Sequence, residues 1–312
     1  MYGNIEKQMS RLIKESGVYT PGHSKHEERK IIKLNTKTNS HEISKKSNIY
    51  SNKYFKNSES TWRDFAKSLI KNKIKDLEQA SGRSIDRYLN NKINEKVTLK
   101  HFHNICSHLT KLESMLNRYS QKFNTGKVYD FDKKINRAKS IARKKLKNEY
   151  STRAYEKPKE LINAIPRKDY KLSASIQLEG GARLREAGLI DQSRLGGIQK
   201  NKGLIILKKG DGKGGKERVL EITKETYAEI QQYVNFNKQL KIDNPVSYRK
   251  AIKDAAFLTN QKYTGSHGLR HNYAQFKMNK YVKKGYGHFK SCLLISRKMG
   301  HERPSITETY LR

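Results

Sequence analysis

Side chains of the types that handle phosphate fall in four short segments in the C-terminal half of the sequence. GARLREA places Arg183 and Glu186 three residues apart, so on a helix they share a face and the carboxylate can orient the guanidinium. GDGKGGKER sets Lys213 and Lys216 among four glycines at the tip of a hairpin, where backbone or an ammonium can approach a phosphate closely. SHGLRHNYA carries His267, Arg270 and His271, so one helical turn presents an imidazole and a guanidinium together. MGHERPSITETYLR supplies His301 and, nine residues on, Tyr310.

Rival readings of the same segments are weaker on chemical grounds. Gly210, Gly215 and Lys216 have the spacing of a nucleotide-binding P-loop, but Glu217 stands where a Mg²⁺-binding hydroxyl is required and the strand pattern RVLEI follows where a helix is needed. His267 and His271 at i, i+4 could hold a metal, yet Gly268 replaces the glutamate of an HExxH zinc site. His271 reads more readily as a structural histidine than His267 does. A two-metal nuclease needs clustered carboxylates, and the nearest candidates, Asp130 and Asp132, lie outside this region. Neither a metal nor a cofactor is therefore expected.

The elements that must position these residues form two domains and an arm. Lys and Arg number 67 against 30 Asp and Glu, and the net charge of +37 calls for a polyanionic partner, nucleic acid before membrane. No uncharged apolar run approaches a membrane span, and MYGNIEKQ is no signal peptide. Cys106 and Cys292 sit far apart in apolar helical patterns, as small buried thiols of a reducing cytosol do. Residues 1–57 read as a basic, partly ordered N-terminal arm with one short helical pattern (Ile5, Met9, Leu12, Ile13). Residues 58–147 are helical throughout. Leu99, Phe102, Ile105, Cys106, Leu109, Leu112, Met115, Leu116 and Tyr119 mark one face of a long helix, and FDKKINRAKSIARKKLK predicts another whose cations can face a phosphate backbone. A polar linker is placed at 148–158, and a second domain at 159–312. There, short strands in GIQKNKGLIILKKGDGKGGKERVLEIT interrupt the helices, and Ser305 is a candidate N-cap for the last one.

Taken in order from Arg183 to Tyr310, the four segments resemble the catalytic domain of tyrosine recombinases, the lambda-integrase and Xer family. GARLREA is similar to the segment with the family's first catalytic arginine, GKGGKER to its lysine hairpin, HGLRH to its His-x-x-Arg box, and GH followed by Tyr310 to its last box. Lys213 fills the GKG position, with Lys216 close by. The resemblance implies a mainly α fold with a small β-sheet. A helical, SAM-like core-binding domain and a mixed α+β catalytic domain would close on duplex DNA as a C-shaped clamp. It also implies a homotetramer on paired DNA sites, and catalytic roles for Arg183, Lys213, His267, Arg270, His301 and Tyr310 without metal, ATP or other cofactor. The chain stops two residues after Tyr310, where the family usually continues into a segment that docks on a neighbouring subunit. Either the C-terminus is incomplete or the subunits communicate otherwise.

The expected activity is site-specific cleavage and rejoining of DNA through a 3′-phosphotyrosyl intermediate. Type IB topoisomerase-like relaxation and a catalytically silent DNA-binding protein are the alternatives, with a telomere resolvase a weaker one. The expected setting is the cytoplasm, at the nucleoid, of a bacterium or phage carrying a mobile element.

Overall fold

A computed structural model describes residues 1–35, 39–147, 152–211, 217–301 and 303–312, apart from the side chain of His41. The chain forms two compact units, Met1–Glu149 and Tyr150–Arg312.

The first unit is all helical: α1 (Ile5–Ser16), α2 (Lys25–Asn35), α3 (Ser40–Lys46), α4 (Asn52–Lys71), α5 (Gly82–Asn94), α6 (Leu99–Phe123) and α7 (Asp132–Lys145). The apolar stripe predicted over 99–119 is the buried face of α6. Thr98 caps that helix by accepting from the His101 N–H, and Asn124 ends it in the left-handed conformation. Trp62 of α4 packs fully buried in the same core and donates from Nε1 to the His108 carbonyl at 2.7 Å. On α7, Ile135, Ala138 and Ala142 face inward while Lys133, Arg137, Arg143, Lys144 and Lys145 are exposed, leaving a basic ridge.

Residues 1–57 do not stand apart as an arm. Ile5, Met9, Leu12, Val18 and Ile49 belong to the same apolar core as α6, and α4 already starts at Asn52. A few well-spaced apolar residues suffice because each folds into the same core as α6, and burying each contributes about 1.5–3 kcal/mol.

The second unit contains α8 (Pro158–Asn163), α9 (Lys168–Gly180), α10 (Leu184–Ala187), β1 (Leu189–Asp191), β2 (Leu195–Gln199), β3 (Lys202–Leu207), β4 (Arg218–Thr223), α11 (Lys224–Asn237), β5 (Gln239–Lys241), α12 (Pro245–Leu258), α13 (His267–Lys283), α14 (His288–Lys298) and α15 (Pro304–Leu311). Strands β2, β3 and β4 form an antiparallel sheet in that order, and β1 pairs antiparallel with β5. Ile205, Leu207, Leu220 and Ile222 point into the core while Ile206 and Val219 are exposed, the alternation of a sheet with one covered face.

Two expectations shift at the margins. Part of the linker assigned to 148–158 lies outside the described residues, but the rest packs on the second unit. Asn272 exchanges two hydrogen bonds with the Tyr155 backbone, at 2.9 and 2.7 Å, and Gln261 two with that of Lys157. Ser305 does not cap α15; Pro304 is its first residue and Arg303 precedes it without a side-chain cap, as suits a proline with no N–H to satisfy.

Candidate functional site

Helix α13 carries the centre of the site. Its first residues, Gly268 to Ala274, are all buried, so the helix enters through the core and its N-terminus delivers His267, Arg270 and His271 to one place. Gly268 is required there, because a Cβ would stand 2.3 Å from Thr264 Oγ1 and 2.5 Å from the Arg153 carbonyl.

Arg270 is 0 % exposed. Its guanidinium donates to the carbonyls of Gly181 and Met299, the latter at 2.6 Å. These residues are the C-caps of α9 and α14, so one cation sits at the negative ends of two helices. It also lies 3.0 Å from His301 Nε2. With Arg270 donating, that nitrogen accepts and the His301 proton resides on Nδ1, which has no partner among the described residues. Burial, together with Arg183 and Arg218, lowers Arg270 to about 10, which leaves it charged at neutral pH.

Tyr310, on the last turn of α15, reaches back to this cluster. Its hydroxyl is 3.1 Å from His267 Nε2. The ring is surrounded by His271, His267 and His301, with centroids at 4.7, 5.4 and 5.4 Å, and the Arg270 guanidinium is 5.6 Å from its centre. Burial pushes His267 and His271 down to about 4 and His301 to about 3, and neighbouring arginines add to each shift. The three imidazoles are therefore neutral at pH 7, the form that accepts a proton.

Arg183 precedes α10 and joins the cluster through Glu186. Its guanidinium pairs with that carboxylate at 2.7 Å and its backbone N–H donates to the other oxygen at 2.6 Å. Glu186 is buried and also pairs with Arg218, and the Arg270 guanidinium lies 3.9 Å away. Burial alone would raise the Glu186 carboxyl; Arg218 and Arg183 hold it below the ordinary carboxylate value. Arg183, Leu184, Arg185, Glu186, Gly210, Asp211 and Arg249 line part of a cleft of about 890 Å³, so cationic groups border open space beside the site.

Five of the six predicted residues thus meet: Arg183, His267, Arg270, His301 and Tyr310. Lys213 and the neighbouring Lys216 lie outside the described residues. In the β3–β4 ladder Leu207 pairs with Arg218.

Arg218 is the participant that sequence reasoning missed. It donates to the Lys298 carbonyl at 2.8 Å as well as pairing with Glu186, so it ties the end of α14, just before His301, to the Arg183 segment. The signal was available: Arg218 is in phase with Leu220 and Ile222, the inward residues of β4.

No protein-family model and no curated protein matches the chain. Solved structures do. The XerH site-specific recombinase bound to palindromic difH substrate, a post-cleavage complex, is similar at a TM-score of 0.63 and 14% identity, over 99% of this chain and 92% of that one. Its pre-cleavage complex with difH gives 0.60 and 13%, with the same coverage. The Tn1549 transposon integrase in complex with transposon right end DNA gives 0.56 and 12%, over 99% and 95%. The likeness therefore spans both units, and the architecture is that of a DNA recombinase or integrase. More narrowly, this is the tyrosine-recombinase fold: mainly α, with a small antiparallel sheet in the second unit.

Proposed function

We propose that this protein is a site-specific DNA strand transferase that cleaves and rejoins duplex DNA through a 3′-phosphotyrosyl bond to Tyr310. The observation that carries the reading is the Tyr310 hydroxyl held 3.1 Å from a neutral His267 imidazole, beside the Arg270–His301 pair. A tyrosine merely packed at a C-terminus has no need of three imidazoles and a buried guanidinium around its ring.

The phenol oxygen attacks phosphorus as its proton passes to His267, and the bond from phosphorus to the 5′ oxygen breaks. An arriving phosphate brings negative charge that offsets Arg270 and Arg183, two of the charges that depress His267, so the imidazole gains basicity as substrate binds. Arg183 and Arg270 stabilise the nonbridging oxygens. His301 joins them when its Arg270 contact breaks and its proton moves from Nδ1 to Nε2, which then donates to the phosphate. Glu186 and Arg218 orient the two arginines. Lys213 protonates the leaving 5′ oxygen, and a second 5′ hydroxyl reverses the sequence without ATP, since the phosphotyrosyl ester keeps the bond energy.

Duplex DNA as partner fits the +37 charge and the exposed ridge of α7. DNA-bound complexes are among the similar structures, and no helix among the described residues is long and apolar enough to cross a membrane. Action as a homotetramer on paired sites, binding by the first unit as a core-binding domain, and a place at a bacterial or phage nucleoid complete the proposal. Lys213 is tested with a substrate whose bridging 5′ oxygen is replaced by sulfur. That leaving group needs no proton, so it should restore cleavage to Lys213→Ala and not to Arg183→Ala. Failure of rescue, or rescue of Lys216→Ala alone, removes Lys213 from the acid role.

A further inference from the structure

Outside the site described above, α14 and α15 bring three side chains of metal-ligating type together. His288 and Cys292 stand one turn apart on α14 and project over the same face. Glu308 comes from α15, two residues before Tyr310. His288 Nε2 lies 2.7 Å from Glu308 Oε1, and Cys292 Sγ lies 3.4 Å from that oxygen and 3.6 Å from that nitrogen.

Around a tetrahedral zinc, with bonds of about 2.0–2.2 Å to nitrogen and oxygen and about 2.3 Å to sulfur, the donor atoms stand roughly 3.3–3.6 Å apart. Both sulfur distances already agree. Only the nitrogen–oxygen separation must open, by roughly half an ångström. The side chains that would move are the accessible ones, His288 at 64% and Glu308 at 44% exposure, whereas Cys292 is 1% exposed and fixed in the helix. Phosphate contact does not account for the cluster either, because the Glu308 carboxylate at its centre would repel a polyanion.

The geometry points to a site for a borderline-soft divalent cation of the zinc type, held by His288 Nε2, Cys292 Sγ and the Glu308 carboxylate, with the fourth position open to water. The cation displaces the Cys292 thiol proton to solvent, since the thiolate is the ligand. It staples α15 to α14, where Thr307 Oγ1 already donates to the Cys292 carbonyl at 3.2 Å. Fixing Glu308 restrains the last turn of α15 and with it Tyr310; this consequence, unlike the binding, rests on the strand-transfer reading.

The test is titration of the full-length, reduced, chelator-treated protein with Co²⁺, following the thiolate-to-cobalt charge-transfer absorption. A one-to-one rise that Zn²⁺ displaces is expected. Cys292→Ser should abolish the band, Cys106→Ser should leave it, and His288→Ala and Glu308→Gln should each weaken binding by about 10–100-fold. The last two alter exposed side chains, so they carry the test if Cys292→Ser does not fold, as circular dichroism will tell. No band, a band that survives Cys292→Ser, or an affinity unmoved by both surface variants overturns the site. Covalent DNA adducts measured on the same samples separate the two proposals: the band without adducts leaves the site standing and removes the strand-transfer reading, and adducts without the band do the reverse.

Discussion

Replacing Arg270 and Arg183 in turn by lysine should slow DNA cleavage alike but affect stability very differently. Arg270 is fully buried and joins the carbonyls of Gly181 and Met299 to His301 Nε2. A lysine keeps the charge but presents its donors from a single nitrogen, which cannot serve the ends of α9 and α14 and the imidazole together. Hydrogen bonds to charged groups contribute about 1.5–3 kcal/mol each, so losing one or two costs about 2–5 kcal/mol. The Arg183 side chain is 24% exposed and has Glu186 as its partner, within reach of an ammonium, so Arg183→Lys should cost at most about 1 kcal/mol. Both variants remove a preoriented donor, and each should lower the rate of adduct formation by about 10²–10³-fold. Tryptophan fluorescence will not resolve the stability difference, because the single tryptophan, Trp62, lies in the first unit. Hydrogen exchange of the α13 amides will. Protection in Arg270→Lys should fall roughly 30-fold or more, each 1.4 kcal/mol being tenfold, and in Arg183→Lys no more than about fivefold. Unchanged protection in Arg270→Lys, or equal losses in the two, would refute the view that Arg270 holds the site together from inside.

Three further outcomes follow from the same geometry. His267 and His271, at about 4, and His301, at about 3, all lie below their unfolded value of 6.5, so the unfolded chain binds more protons between those limits. The stability they confer is full above pH 6.5 and lost as pH falls toward 4; denaturation across that range should show the decline, and His271→Gln should flatten it. Gly181→Ala places a Cβ 2.5 Å from the Tyr273 ring at a φ of +65°, and should destabilise the second unit by about 1–3 kcal/mol in urea denaturation followed by circular dichroism. Arg218→Met removes one partner of buried Glu186, and adduct formation should slow while DNA affinity in a gel-shift assay stays within about twofold.

Much of this was legible in the sequence, for physical reasons. The α6 stripe and the basic ridge of α7 show as periodicity because one face of each helix is buried. The four segments show because phosphate chemistry needs particular side-chain types, and their order is the one the family resemblance implies. What stayed hidden depends on partners without a sequence signature. The acceptors that lock Arg270 are backbone carbonyls, identical at every residue. Arg218 begins the RVLEI strand pattern in phase with Leu220 and Ile222, but its partners, Glu186 and the Lys298 carbonyl, have no signature there. Residues 1–57 read as a partly ordered arm because the five that join the core of α6 are diluted among lysines and asparagines, and only the tertiary fold assembles them.

The most direct test of the central claim is to find where DNA becomes attached. The protein is incubated with nicked duplexes taken from the DNA flanking its own gene, and any complex that survives detergent is digested and mapped by mass spectrometry. A nucleotide 3′-phosphate on Tyr310, a free 5′ hydroxyl on the released strand and no adduct with Tyr310→Phe are predicted. An adduct mapped to another residue, one that persists in Tyr310→Phe, or none on a duplex the protein binds specifically would contradict the account.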